Sequence, residues 1–225
     1  TLLPYATYFN MSNPELRPER TGMHNLGLDF GFKGGRIAGS IEYYLKTTTD
    51  LISSSSTNPF LGFASQTYNV AGLRGDGVDI GLKSINLQSG KFSWGSNFNL
   101  SYNRVKITKN YVDLGTNALT MLTVGGIYPE GSNVSTLYAL RWAGLDPATG
   151  AARVFFNGVP SLQNQSVSPL AGSWSNLREV GSAAPVHYGS LGNTIGYAGF
   201  VLNFNIMYKL GYYQRRPEND LFMNS

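Results

Sequence analysis

Apolar side chains recur at every second position along several stretches of this chain, the period of a β-strand and not of a helix. Leu26, Leu28, Phe30 and Phe32 alternate with Gly27, Asp29 and Gly31. Lys33, Gly34 and Gly35 follow, and glycine readily supplies the positive φ that a tight hairpin needs. The return arm sets Ile37, Gly39, Ile41, Tyr43 and Leu45 against Ala38, Ser40, Glu42, Tyr44 and Lys46.

The pattern then repeats. Val78, Ile80 and Leu82 alternate with Asp79, Gly81 and Lys83, and Gln88, Ser89 and Gly90 form the next turn. Phe92, Trp94, Ser96, Phe98, Leu100 and Tyr102 oppose Ser93, Gly95, Asn97, Asn99, Ser101 and Asn103. A further unit turns near Tyr197 and Ala198 and leaves through Phe200, Leu202, Phe204, Ile206, Tyr208 and Leu210. No segment shows a helical period with caps, so the pattern predicts an all-β chain.

Short turns alternate with long connections, expected at 1–21, 48–68 and 108–184. Strands of about ten residues, this loop asymmetry and an apolar/neutral-polar dyad together predict a segment of a large antiparallel transmembrane β-barrel. About six membrane strands are expected, plus a hairpin outside the membrane. The competing reading is a soluble, secreted β-sandwich, a carbohydrate-binding or adhesin module, whose strands usually run about five or six residues. In a barrel the Phe/Leu/Ile/Tyr faces would meet lipid, because Lys or Arg near the bilayer midplane costs roughly 2–4 kcal/mol. The Asp79/Lys83 and Asn97/Asn99/Asn103 faces would line the lumen. Trp94 and Phe92, beside a turn, and Tyr43 and Tyr208, farther along, are candidates for aromatic girdles. The region 108–184 is expected to be a long extracellular loop region with its own hairpin, 137–145 and 151–156 flanking a turn at 146–150. Arg141 and Arg153 inside those arms argue against further membrane strands.

Composition sharpens this picture. Charged residues make up 13%, about half the roughly 25% of soluble proteins. The chain has 27 Gly and 14 Tyr in their place. No stretch approaches the roughly 18 apolar residues of a transmembrane helix. With Cys 0 there is no disulfide scaffold and no cysteine nucleophile. A net charge of +4, weakly clustered, gives no nucleic-acid footprint.

Chemistry is sparse. His24 and His187 lie far apart without partners at ligand spacing, and no Gly-x-Ser-x-Gly elbow occurs. Asp146, Pro147, Ala148, Thr149 and Gly150 suggest a β-turn over a cation loop. Arg74, Gly75 and Asp76 spell an integrin-recognition tripeptide but fall at a strand start. No catalytic group, metal site or cofactor is expected. The loop aromatics Phe60, Phe63, Tyr68 and Trp174 remain as candidates to stack on ligand, or to pack their own loops.

The segment Asn13, Pro14, Glu15, Leu16, Arg17, Pro18, Glu19 resembles the Asn-Pro-x-Leu-x-Pro-Glu signature of TonB-dependent outer-membrane receptors. The runs 25–32, 36–44 and 49–52 are similar to the SusC-like branch found in Bacteroidetes, as are 69–72 with 77–80, 143–150 and 185–193. The resemblance spans nearly the whole chain. It implies a C-terminal portion of the barrel of an importer of glycans or oligopeptides in the bacterial outer membrane. It also implies a plug domain and TonB box outside this sequence, coupling to the TonB complex, and a SusD-like surface lipoprotein that closes over the barrel.

Overall fold

The computed structural model describes residues 12–32, 34–56, 65–111, 129–162 and 176–215. The described residues form strands β1 (Arg20–Phe32), β2 (Ile37–Ser56), β3 (Ser65–Ser89), β4 (Phe92–Asn110), β5 (Thr136–Leu140), β6 (Trp142–Leu145), β7 (Ala152–Phe156), β8 (Val159–Leu162), β9 (Leu177–Ser182), β10 (His187–Tyr197) and β11 (Phe200–Leu210). Six of them make one antiparallel sheet in the order β1-β2-β3-β4-β10-β11. Each neighbour follows in sequence except β10, which docks on β4 after the long excursion. The β10–β11 hairpin is closed by Ala198 and Gly199, with φ of 48° and 92°. Positive φ at both central residues is the turn whose twist matches that of the flanking strands.

Register converts the alternation into two faces. Leu28, Ile41, Ile80 and Leu100 are paired in a row across β1 to β4, ending on Gly189 and Tyr208. Phe30, Gly39, Leu82, Phe98, Leu191 and Ile206 form the next row on the same side. Because the side-chain period is two, a one-residue slip would send every one of these to the opposite face. Nothing covers them among the described residues. Leu28 is 63% exposed, Ile206 56% and Phe200 82%. A β-sandwich would bury this face under a second sheet. The soluble-sandwich reading therefore does not fit: a six-stranded apolar surface lies open, as the wall of a lipid-facing barrel does.

The strands run farther than periodicity suggests. Where a loop was expected at 48–68, β2 continues through Ser56 and β3 begins at Ser65, paired from Ser56↔Ser65 downward. The 25 residues of β3 reach about 80 Å, well beyond a bilayer. Beyond the apolar band, Thr47–Thr49 and the serines after Ile52 keep the strand without apolar alternation.

The excursion between β4 and β10 builds its own small structure. β6 and β7 form the expected hairpin around the 146–150 turn, and β8 adds a third strand. Its first arm is shorter than expected, however. Thr136–Leu140 turns away and pairs with β9. The buried core sits here: Ile107, Tyr138 and Leu177 pack together with Leu73, Val134 and Leu140.

These residues expressed alone should not behave as a soluble monomer. Among the described residues the sheet has free edges at β1 and β11 and an open apolar face, both of which invite association in water. Size-exclusion chromatography without detergent should show aggregates. A sharp monomeric peak with cooperative melting would contradict the membrane-wall reading.

Candidate functional site

The wall itself is the first functional surface. Outward positions from Phe92 to Tyr102 climb about 33 Å along β4, or about 25 Å after a strand tilt of roughly 40°. That height matches the apolar band of an outer-membrane barrel. One row above Tyr43, Val78 and Tyr102 the same face turns charged: Asp76, opposite Leu45, meets Arg104 at 3.5 Å. The Arg74-Gly75-Asp76 tripeptide therefore lies inside a paired strand. The other face carries Asp29, Glu42, Asp79, Lys83 and Lys209 among Ser40, Asn97, Asn99, Ser101, Ser190 and Asn205. Such a surface holds water and suits a lumen.

Two polar devices are set into the apolar face. Near the turns, Ser84 Oγ donates to Asn86 Oδ1 (2.7 Å) and Asn86 Nδ2 to Ser96 Oγ (2.6 Å). Ser96 Oγ and Trp94 Nε1 then donate to Asn193 Oδ1, at 2.7 and 3.1 Å. Alternation from Ser84 places Asn86 on this face, and a β-bulge between Ile85 and Leu87 turns Leu87 onto it as well, opposite Trp94. Farther up, Tyr208 lays its ring across Gly189 and donates its hydroxyl to the Asn99 carbonyl at 2.8 Å. Three strands are thereby tied together, and the phenol is satisfied in a place without water. Of the girdle aromatics, Trp94 is 40% and Tyr43 46% exposed.

The signature segment forms a clasp at the loop end. Leu16 N–H donates to the Asn13 carbonyl (3.2 Å), which closes a turn with Pro14 at its second position. Asn13 Oδ1 accepts from Glu15 N–H at 3.1 Å, and Asn13 Nδ2 donates to the Thr67 carbonyl at 2.9 Å. Arg17 N–H donates to Asn69 Oδ1, while Asn69 Nδ2 donates to the carbonyls of Arg17 and Asp50, all at 2.8 Å. Asp50, at φ 55° in a β2 bulge, takes two bonds from the Arg17 guanidinium, at 2.9 and 2.7 Å. Those bonds and the carboxylate's charge raise the Arg17 pKa further above its ordinary value. Glu19 Oε2 accepts from Ile52 N–H at 3.4 Å, and Pro18 holds the chain extended between them. Motif resemblance singled out Asn13, Pro14, Leu16, Pro18 and Glu19. Asp50 and Asn69, the partners of Arg17, fall in the similar runs 49–52 and 69–72, but only the fold shows that they meet the motif.

Of the four candidate loop aromatics, Phe60, Phe63 and Trp174 lie outside the described residues. Tyr68 is half-buried on β3, its hydroxyl donating to Gln66 Oε1 at 2.6 Å. His24 on β1 and His187 on β10 are four strands apart in the sheet order, about 19 Å. His187 packs its ring against Tyr102 at 5.1 Å. No cluster of three His, Cys, Asp or Glu that could hold a metal occurs among the described residues. Asp146 organises a turn: its Oδ1 accepts from Thr149 N–H and Oγ1 at 3.0 Å and from Ala148 N–H at 3.1 Å. Those donors hold its pKa below the usual value, the Thr149 amide contributing most.

Long wet-ended strands, one open apolar face, one polar face and short turns opposite long loops define a wall segment of an outer-membrane β-barrel. The chain belongs to the TonB dependent receptor-like, beta-barrel family, which matches residues 3–220. It is similar to the TonB-dependent receptor SusC of Bacteroides thetaiotaomicron, 34% identical over 109 residues, which are 46% of this chain and 11% of that protein. A TonB-dependent receptor of Formosa agariphila is 32% identical over 135 residues, 56% of this chain and 14% of the relative. The fold superposes on the solved RagAB peptide transporter with a TM-score of 0.73 and 26% identity, covering 90% of this chain and 22% of that one. The RagAB peptide importer in its open-open state matches with a TM-score of 0.71. The chain spans between 10% and 14% of the length of the curated relatives it matches. These likenesses place it in the SusC-like branch and in the outer membrane.

Proposed function

We propose that this chain supplies lumen wall and outward loops to a SusC-like, TonB-dependent importer of glycans or oligopeptides. The observation that carries the reading is the six-stranded sheet with one open apolar face, continuous with a family match from residue 3 to 220. The work is binding and passage, with no covalent chemistry asked of any side chain here. A SusD-like surface lipoprotein would cover the loop end, and the TonB complex would act through a plug contributed elsewhere in the whole protein. The RagAB likeness supports a peptide cargo, and the family resemblance of the sequence leaves a glycan cargo equally open.

The excursion 108–184 faces the cell exterior in this reading, and the turns near Gly34, Gly90 and Gly199 face the periplasm. An epitope tag inserted at Thr149 should be reached by antibody on whole cells, and one at Gly34 only after permeabilisation. The reverse pattern would invert the topology. Uptake of labelled oligosaccharides and oligopeptides by cells carrying the whole protein should stop on loss of TonB or of the proton gradient. Undiminished uptake in de-energised cells would make the protein a passive pore.

A further inference from the structure

The geometry points to an anion-selecting ligand subsite at the loop end, a groove of about 570 Å³ that takes an acidic oligosaccharide. This inference rests on the import reading and names the cargo chemistry of its loop end. The groove lies between β9 and the start of the β6–β7 hairpin, within the size range of small-ligand sites. Arg141 and Arg178 stand in its lining, together with Trp142, Phe155 and Tyr213. Among the described residues neither arginine has a carboxylate within ion-pair distance. The neighbouring Glu179 does not neutralise Arg178, because alternation along β9 sends it into a separate cavity beside Glu130 and Tyr138.

Arg141 is held in place. The Arg141 guanidinium sits 5.5 Å from the centre of the Phe155 ring, and Phe155 N–H donates to the Arg141 carbonyl at 2.8 Å. Arg153, two residues before Phe155 on β7, lies outside this lining, and its charge acts on Asp146 at the hairpin turn. The walls are flat and open. Trp142 is 60% exposed and Tyr213 53%. Tyr213 is fixed by its N–H to the Ser182 carbonyl (2.8 Å), with its ring packed on Gly181.

Planar guanidinium forks match carboxylate or sulfate geometry, and electron-rich rings attract the weakly positive C–H face of a pyranose. A chain of acidic sugars offers both groups in alternation. An acidic peptide would satisfy the arginines, while the exposed rings of Trp142 and Tyr213 favour a pyranose face.

The test uses the whole protein with its partner lipoprotein in detergent, and calorimetry with a short oligogalacturonate, its methyl ester and a glutamate-rich peptide. The acid form should bind about tenfold tighter than the ester, and added salt should erase the margin. The R141Q/R178Q double variant should lose the margin and keep the ester affinity, while W142A should weaken both sugars. Should the double variant fail to assemble, R178Q alone is decisive, since it removes no structural contact described above, and R178K should restore part of the margin. Equal binding of acid and ester, an unaffected arginine variant, or arginine-dependent binding of the peptide alone would each overturn the inference. Energised uptake of another cargo by the same protein would leave the import reading standing while this subsite fails.

Discussion

Gly189→Ala should sharply reduce the amount of folded barrel in the outer membrane. A Cβ at Gly189 would land on the Asn99 carbonyl oxygen and against the Tyr208 hydroxyl. The carbonyl belongs to the β4 backbone and cannot yield, and the hydroxyl can move only by giving up its 2.8 Å bond to that carbonyl. Overpacking of this kind destabilises by about 1–3 kcal/mol, and here it also breaks the tie between β4, β10 and β11. Tyr208→Phe keeps the ring over Gly189 and removes only one hydrogen bond, about 1 kcal/mol. The heat-modifiable fraction on gels should therefore fall much further for the glycine variant than for the tyrosine variant. Wild-type assembly with alanine would show that the close approach does not hold the sheet.

Leu100→Arg should impair assembly while Asn99→Arg is tolerated, although the two positions are adjacent. Leu100 pairs with Ile80 and Gly189 on the apolar face. Asn99 pairs with Gly81 and Ser190 and donates to Ser190 Oγ at 3.3 Å on the polar face. An arginine in hydrocarbon costs roughly 2–4 kcal/mol near the midplane, and one in a hydrated lumen costs little. Outer-membrane levels of the two variants should therefore differ clearly. Equal effects at the two sites would reverse or erase the face assignment.

Both predictions trace back to alternation, and alternation was readable wherever the two faces of a strand meet different solvents. Leu26 to Phe32, Val78 to Leu82, Phe92 to Tyr102 and Phe200 to Leu210 specified strands, faces and turns from the chain alone, because lipid on one side and water on the other impose a period of two. Beyond the membrane that contrast vanishes, so the upper reaches of β2 and β3 read as loop although their backbones stay paired. The signature residues 13–19 were recognisable as a motif, while their purpose as a clasp was not. Asn69 and Asp50 stand 52 and 33 positions from Arg17, and only pairing of β2 with β3 puts them in reach. The same holds for β5 joining β9, for the bulge that turns Leu87 opposite Trp94, and for the arginine groove. Arg141 and Arg178 look like scattered surface charge in the sequence. Tertiary structure alone gathers them, because strand pairing across long connections depends on which distant segments can satisfy each other's backbone groups, and local composition carries no record of that choice.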